Sequence, residues 1–206
     1  VLVNEFGDLS IDQDLIEAQD DGLMSISGGC VCCAYGSDMV GALEDMRDAV
    51  PAFDHVLLEA SGVAIPASIM TTVGLVQGLR PEAIIVLADG EQIRRNAANK
   101  FLSDTVLNQL KQADIVLITK VDLVSEQALS EVSDWLKFQA PGTRMLHASH
   151  GKVPIEAIVG VTGQQAGLVA QPPLAHNHFA TTLLAPEAEV DAEMLARKLA
   201  EDDRIT

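Results

Sequence analysis

Positive charge is scarce in this chain. Thirteen lysines and arginines stand against 30 aspartates and glutamates in 206 residues, a net charge of −17. So negative a surface argues against a nucleic acid or an anionic membrane as partner, because both are bound by exchanging counterions for basic side chains. A phosphate ligand stays open, since backbone N–H groups can hold it. Long hydrophobic runs are also lacking. The apolar stretches are of strand length, well short of the roughly 18 residues that suggest a membrane span. No basic start leads into an apolar stretch in the manner of a secretory signal, so the cytoplasm is the expected location. Cysteine occurs only at Cys30, Cys32 and Cys33. An odd, clustered set of thiols is poor material for a disulfide framework and reads better as a metal or redox site.

What remains is 48 % apolar residues, a globular composition sufficient for one domain, or one domain and part of a second. The chain opens on Val1 in a strand-like V-L-V and stops just after a helix-like stretch. It is therefore expected to be a piece of a longer protein, clipped at both ends.

Strand and helix signals alternate. Short apolar runs at Val1–Val3, Leu23–Ile26, His55–Leu58, Ala83–Leu87 and Ile115–Ile118 predict strands, with a weaker one at Arg144–His147. Helical spacing predicts helices from Ser37 to Val50, Pro66 to Val76 and Ser125 to Lys137, with Ser or Pro at their starts. This alternation implies an α/β fold, a mainly parallel sheet flanked by helices, which binds ligands at the carboxyl ends of its strands. Gly and a Pro pair near Gly163–Pro173 suggest a linker. A strand-like stretch from His176 and an acidic helix near Asp191–Asp202 follow it.

The strand ends carry the chemistry. G-G-C-V-C-C follows the second run. Thiolates suit zinc, cobalt, copper(I) or iron–sulfur centres, and two or three sulfurs leave a tetrahedral ion an open position. The ordinary alternative is three inert buried thiols. E-A-S-G, from Glu59 to Gly62, places a carboxylate that can hold Mg²⁺ directly or through water. Its Gly62 N–H can meet a terminal phosphate. T-K-V-D, from Thr119 to Asp122, matches the N-K-x-D of guanine-nucleotide proteins except for Thr119. There the Asp accepts from guanine N1–H and the 2-amino group, and the Lys stem lies on the base. Adenine lacks both donors and is rejected by the unpaired carboxylate. A helix-opening Asp is the ordinary alternative. N-E-F-G sets Glu5 on a candidate switch loop, or on a plain turn. His147, His150, His176 and His178 read first as solvated or hydrogen-bonded histidines and second as metal ligands. A phosphate-cradling G-x-x-x-x-G-K-[ST] loop is absent from these residues: Gly151-Lys152 is followed by Val153.

Taken in order, V-L-V-N-E-F-G-D, S-G-G-C-V-C-C, D-H-V-L-L-E-A-S-G, Q-L-K-Q-A-D-I-V-L-I-T-K-V-D-L and H-G-K-V-P resemble the CobW-like family of P-loop GTPases. This is the metallochaperone branch related to nickel-insertion GTPases, and the resemblance covers nearly the whole chain. It implies a GTPase domain over residues 1–165 without its N-terminal P-loop segment. In the family that segment lies a strand and a helix before N-E-F-G. A linker at 166–175 and the beginning of a smaller C-terminal α+β domain at 176–206 would follow. The resemblance also implies roles. Glu5 and Glu59 sit near Mg²⁺ and the γ-phosphate, and Gly62 belongs to a switch. Thr119, Lys120 and Asp122 form the guanine-reading loop, and Cys30, Cys32 and Cys33 bind Zn²⁺ or Co²⁺. The implied activity is GTP hydrolysis coupled to delivery of the ion to a client metalloprotein, with a homodimer as one arrangement seen among relatives. Without the P-loop these 206 residues are expected to bind GTP poorly. Two other readings compete: a non-catalytic zinc-binding or buffering module with degenerate GTPase motifs, and a thiol redox enzyme.

Overall fold

The computed structural model describes residues 2–4, 24–26, 37–161, 163 and 190–202. Glu5, the three cysteines, His176 and His178 lie outside the described residues, as does the proposed linker. Among the described residues, six strands form two three-stranded parallel sheets. Strands β1 (Leu2–Asn4), β2 (Met24–Ile26) and β3 (Leu58–Glu59) are ordered β2-β1-β3. Strands β4 (Ile85–Asp89), β5 (Ile115–Thr119) and β6 (Arg144–His147) are ordered β4-β5-β6. The expected parallel α/β architecture is present.

Helix α1 (Ser37–Arg47) buries Met39, Leu43 and Met46, spaced to share one face. With Val76, these form a small core against Val56, Leu58 and Val73. Helix α2 (Pro66–Leu75) starts on a proline, whose missing N–H is no loss in a first turn. The larger core lies on one face of the second sheet. Val86, Ala88, Val116 and Ile118 meet Ile93 of α3 (Ile93–Ala98), Leu110 of α4 (Ser103–Gln112), and Val132 and Leu136 of α5 (Glu126–Gln139). The Ser125 hydroxyl caps α5 by accepting from Ala128 N at 3.2 Å. Strand β5 is buried from Ile115 to Ile118, as its unbroken apolar run requires. A separate helix, α6 (Ala192–Ala200), is capped by Asp191.

The expected elements that fall among the described residues are present, most with shifted ends, and the strand-like stretch from His176 lies outside those residues. Helix α1 stops at Arg47 rather than Val50, which is 96 % exposed. Strand β3 occupies Leu58–Glu59 rather than His55–Leu58, because only those two residues pair with β1. Helices α3 and α4, in the polar stretch after β4, had no counterpart in the sequence reading.

Among the described residues, neither β3 nor β4 has a strand partner on its second edge. The two edges face a common cleft of about 2160 Å³, whose lining includes Leu58, Glu59, Ser61, Ile85, Leu87 and Asp89. Leu87, in mid-strand, is 65 % exposed there.

Candidate nucleotide site

Parallel pairing brings the polar strand ends to one edge of each sheet. Val3 lies opposite Glu59, and Asp89 lies opposite Thr119. Glu59 ends β3 and Gly62 lies in the loop that follows, both exposed. Apart from its two chain neighbours, no described residue comes within 4 Å of the position a Cβ would take at Gly62, so a ligand has room to reach its backbone. Helix α4 pins this loop. Gln109 Nε2 donates to the carbonyls of Gly62 and Ala64, each at 2.9 Å, and Gln112 Oε1 accepts from Ala67 N at 3.0 Å. These glutamines were not singled out in the sequence, since their role depends on a helix 45 residues downstream of the loop they hold. The Ser61 hydroxyl is buried and has no hydrogen-bond partner among the described residues. A buried hydroxyl left so is costly unless a ligand or water satisfies it.

The T-K-V-D loop is built more tightly. Thr119 ends β5, and its carbonyl accepts from Gly90 N at 3.0 Å. Lys120 sits in the left-handed region, with φ 55°, a conformation that costs a non-glycine residue about 1–2 kcal/mol. It is followed by a 3₁₀ turn at Val121–Leu123, closed by Leu123 N donating to Lys120 O at 3.0 Å. That turn carries Asp122. The Lys120 ammonium reaches back to Asp89 Oδ2 at 2.7 Å. The other Asp89 oxygen accepts from Glu91 N at 2.8 Å and Gln92 N at 3.1 Å.

The electrostatics follow from these contacts. Burial pushes the Asp89 carboxyl up, but the Lys120 hydrogen bond and the two backbone amides outweigh it and hold the group below the ordinary carboxylate range. The same bond raises the Lys120 ammonium. A hydrogen bond from the Ser149 side chain, with a smaller contribution from His150, keeps the Asp122 carboxyl low. His150 Nε2 stands 3.5 Å from Asp122 Oδ2. Asp122 is thus an ionised, acceptor-only group at neutral pH, suited to a pair of N–H donors on a flat ring. Asp89, Glu59 and Gly62 all line the same cleft, and the Asp89–Lys120 pair ties the T-K-V-D loop to the end of β4.

The structure therefore places Glu59, Gly62, Thr119, Lys120 and Asp122 at strand ends. It adds Asp89, Ser149 and His150, which the sequence reading did not assign to this site. His147 ends β6. Among the described residues, no group of three or more His, Cys, Asp or Glu side chains is placed to hold a metal ion. No helix among them is long and apolar enough to cross a membrane.

A family model described as "CobW/HypB/UreG, nucleotide-binding domain" matches residues 1–147. The chain is 21 % identical over 193 residues to a zinc chaperone CobW of Sinorhizobium sp, covering 78 % of this chain and 54 % of that protein. It is 30 % identical over 159 residues to the zinc chaperone YeiR of Escherichia coli K12, covering 74 % and 47 %. It is 23 % identical over 197 residues to zinc-regulated GTPase metalloprotein activator 1 of Dictyostelium discoideum, covering 77 % and 41 %. The chain spans about half the length of these relatives or less. No solved structure matches it significantly.

Proposed function

The chain belongs to the CobW/HypB/UreG nucleotide-binding family, and on that premise we propose that it is the GTPase part of a metallochaperone. The protein hydrolyses GTP, takes up zinc or cobalt on Cys30, Cys32 and Cys33, and delivers the ion to a client metalloprotein. The names of its relatives, zinc chaperone and zinc-regulated GTPase activator, support this reading. The observation that carries it is the exposed, ionised Asp122 on a turn fixed by its neighbours.

In this reading guanine donates its N1–H and 2-amino hydrogens to Asp122, while the Lys120 stem lies along the base. Gly62 N–H meets the terminal phosphate. Glu5 and Glu59 would sit near the Mg²⁺ site and the γ-phosphate, with Glu5 the candidate beside the attacking water. Mg²⁺ fits the hard oxygen donors at the end of β3, where the exposed Glu59 carboxylate and the unpartnered Ser61 hydroxyl stand close in sequence. Glu59 would hold the ion, directly or through water, and the ion would neutralise phosphate charge. Gln109 keeps the Gly62 carbonyl turned toward α4.

The phosphate cradle is assigned to a strand of the full-length protein outside these residues. Residues of both β3 and β4 line one cleft, and among the described residues each strand has an edge without a strand partner; this reading puts one more parallel strand there. A loop following that strand would arrive between Glu59 and Asp89. The 206-residue chain alone then binds GTP weakly. Residues 176–206, with α6, begin the C-terminal domain.

The test is an anaerobic Co²⁺ titration of the full-length protein, with Mg²⁺–GTP and then with Mg²⁺–GDP. Cobalt–thiolate absorption that tightens with GTP is the expected result. It would show that nucleotide and metal are coupled, as a ligand must favour one state to shift it. Bands indifferent to the nucleotide would leave a zinc-binding module. Absence of thiolate bands would remove the cysteine site.

A further inference from the structure

Asp89 ends β4 and is paired in register with Thr119, the residue before Lys120. Its two oxygens do different work. Oδ1 accepts the Glu91 and Gln92 amides and so fixes its own orientation at the turn into α3. Oδ2, held in place by that turn, takes the Lys120 ammonium at 2.7 Å. Next to it, Gly90 N donates to Thr119 O, and a Cβ on Gly90 would lie only 3.1 Å from that oxygen. Strand β4 therefore grips the T-K-V-D loop twice, once through the carbonyl before Lys120 and once through its side chain. Between these two grips lies the left-handed residue that sets the direction of the turn bearing Asp122. A free lysine has many rotamers, and its stem can serve as a platform for a ring only when its head is tethered.

We propose that Asp89 is a positioning residue for base discrimination: it tethers Lys120 and thereby aims Asp122, without itself touching the nucleotide. The proposal rests on the guanine reading above. It deepens that reading by separating base selectivity from phosphate affinity.

The test uses the full-length protein and equilibrium binding of GDP, IDP and ADP. IDP lacks the 2-amino donor and ADP lacks both donors. Asp89→Asn keeps an acceptor for the Glu91 and Gln92 amides but removes the charge that holds Lys120. The expected result is about a tenfold loss of GDP affinity, a smaller loss for IDP and the smallest for ADP, which loses only the Lys120 platform. The GDP/ADP preference then shrinks several-fold. A merely structural role would lower all three by the same factor, and that outcome overturns the proposal. Asp122→Ala serves as the reference. If it abolishes the preference while Asp89→Asn leaves it intact, Asp89 has no positioning role although the guanine reading survives. If the unmodified protein shows no preference for GDP over ADP, the guanine reading itself fails and takes the proposal with it. A double-variant cycle with Lys120→Ala adds a second readout: the effect of Asp89→Asn on GDP should vanish once Lys120 is gone.

Discussion

Leu87→Ala separates a filled cleft from an open one. Leu87 lies in the middle of β4 and is 65 % exposed in the cleft between β3 and β4. Full burial of a leucine contributes about 1.5–3 kcal/mol. With only about a third of the residue covered, truncation in the 206-residue chain should cost about 0.5–1 kcal/mol. In the full-length protein, a strand paired with β4, together with the chain that crosses the face on which Leu87 stands, would bury the same side chain. Truncation there should leave a cavity and cost about 3–5 kcal/mol. The two contexts thus differ by at least about 2 kcal/mol, roughly 1 M in urea midpoint for an m-value near 2 kcal/mol/M. Urea unfolding of both lengths, with and without the substitution, measures this directly. A cost of about 1 kcal/mol or less in both lengths would refute the assignment of the cleft to a strand.

Leu136→Ala removes a side chain with no exposed surface from the core around β4 and β5; it should cost about 2–5 kcal/mol in either length, seen as a lowered urea midpoint. Gly90→Ala places a methyl 3.1 Å from the Thr119 carbonyl. The crowding should cost about 1–3 kcal/mol, partly offset by the stiffer unfolded chain, and in the full-length protein GDP affinity should fall more than ADP affinity. The Asp89 carboxyl is held low in the folded state, so its contribution to stability is complete above the unfolded aspartate value of about 3.9. That contribution is lost as pH falls through the lower folded value. Stability should therefore fall more steeply below about pH 4 in the unmodified chain than in Asp89→Asn, with no difference in slope between about pH 6 and 8.

The elements legible in the sequence were those whose burial is continuous or whose ends are chemically marked. Strand β5 is buried from Ile115 to Ile118 and reads as an unbroken apolar run. Helix α5 announces itself by the Ser125 cap. Helix α4 escaped notice because most of its residues are polar, though it buries Leu110 and Thr105. The T-K-V-D loop was legible as a motif, and the structure sets it at the end of β5. What holds that loop was not legible. Asp89 reaches Lys120 only through the register of β4 against β5, and Ser149 reaches Asp122 only because β6 runs beside β5. Such partners are set by pairing between distant segments and leave no local pattern. Glu5 and the cysteine motif, the sharpest signal in the sequence, lie outside the described residues and remain part of the proposal.

The divided sheet also bears on how the protein assembles. A parallel strand needs a long crossover before its pairing is rewarded, so a central strand joining β3 to β4 would be among the slower contacts to form. Until it docks, β3 and β4 each keep an edge without a strand partner among the described residues, and Leu87 of β4 is exposed. Such edges recruit strands from other copies. The halves on either side can then condense independently, and the late strand decides between a monomer and an aggregate. The 206-residue chain, produced alone, should self-associate as its concentration rises, and a peptide able to occupy the cleft should suppress this.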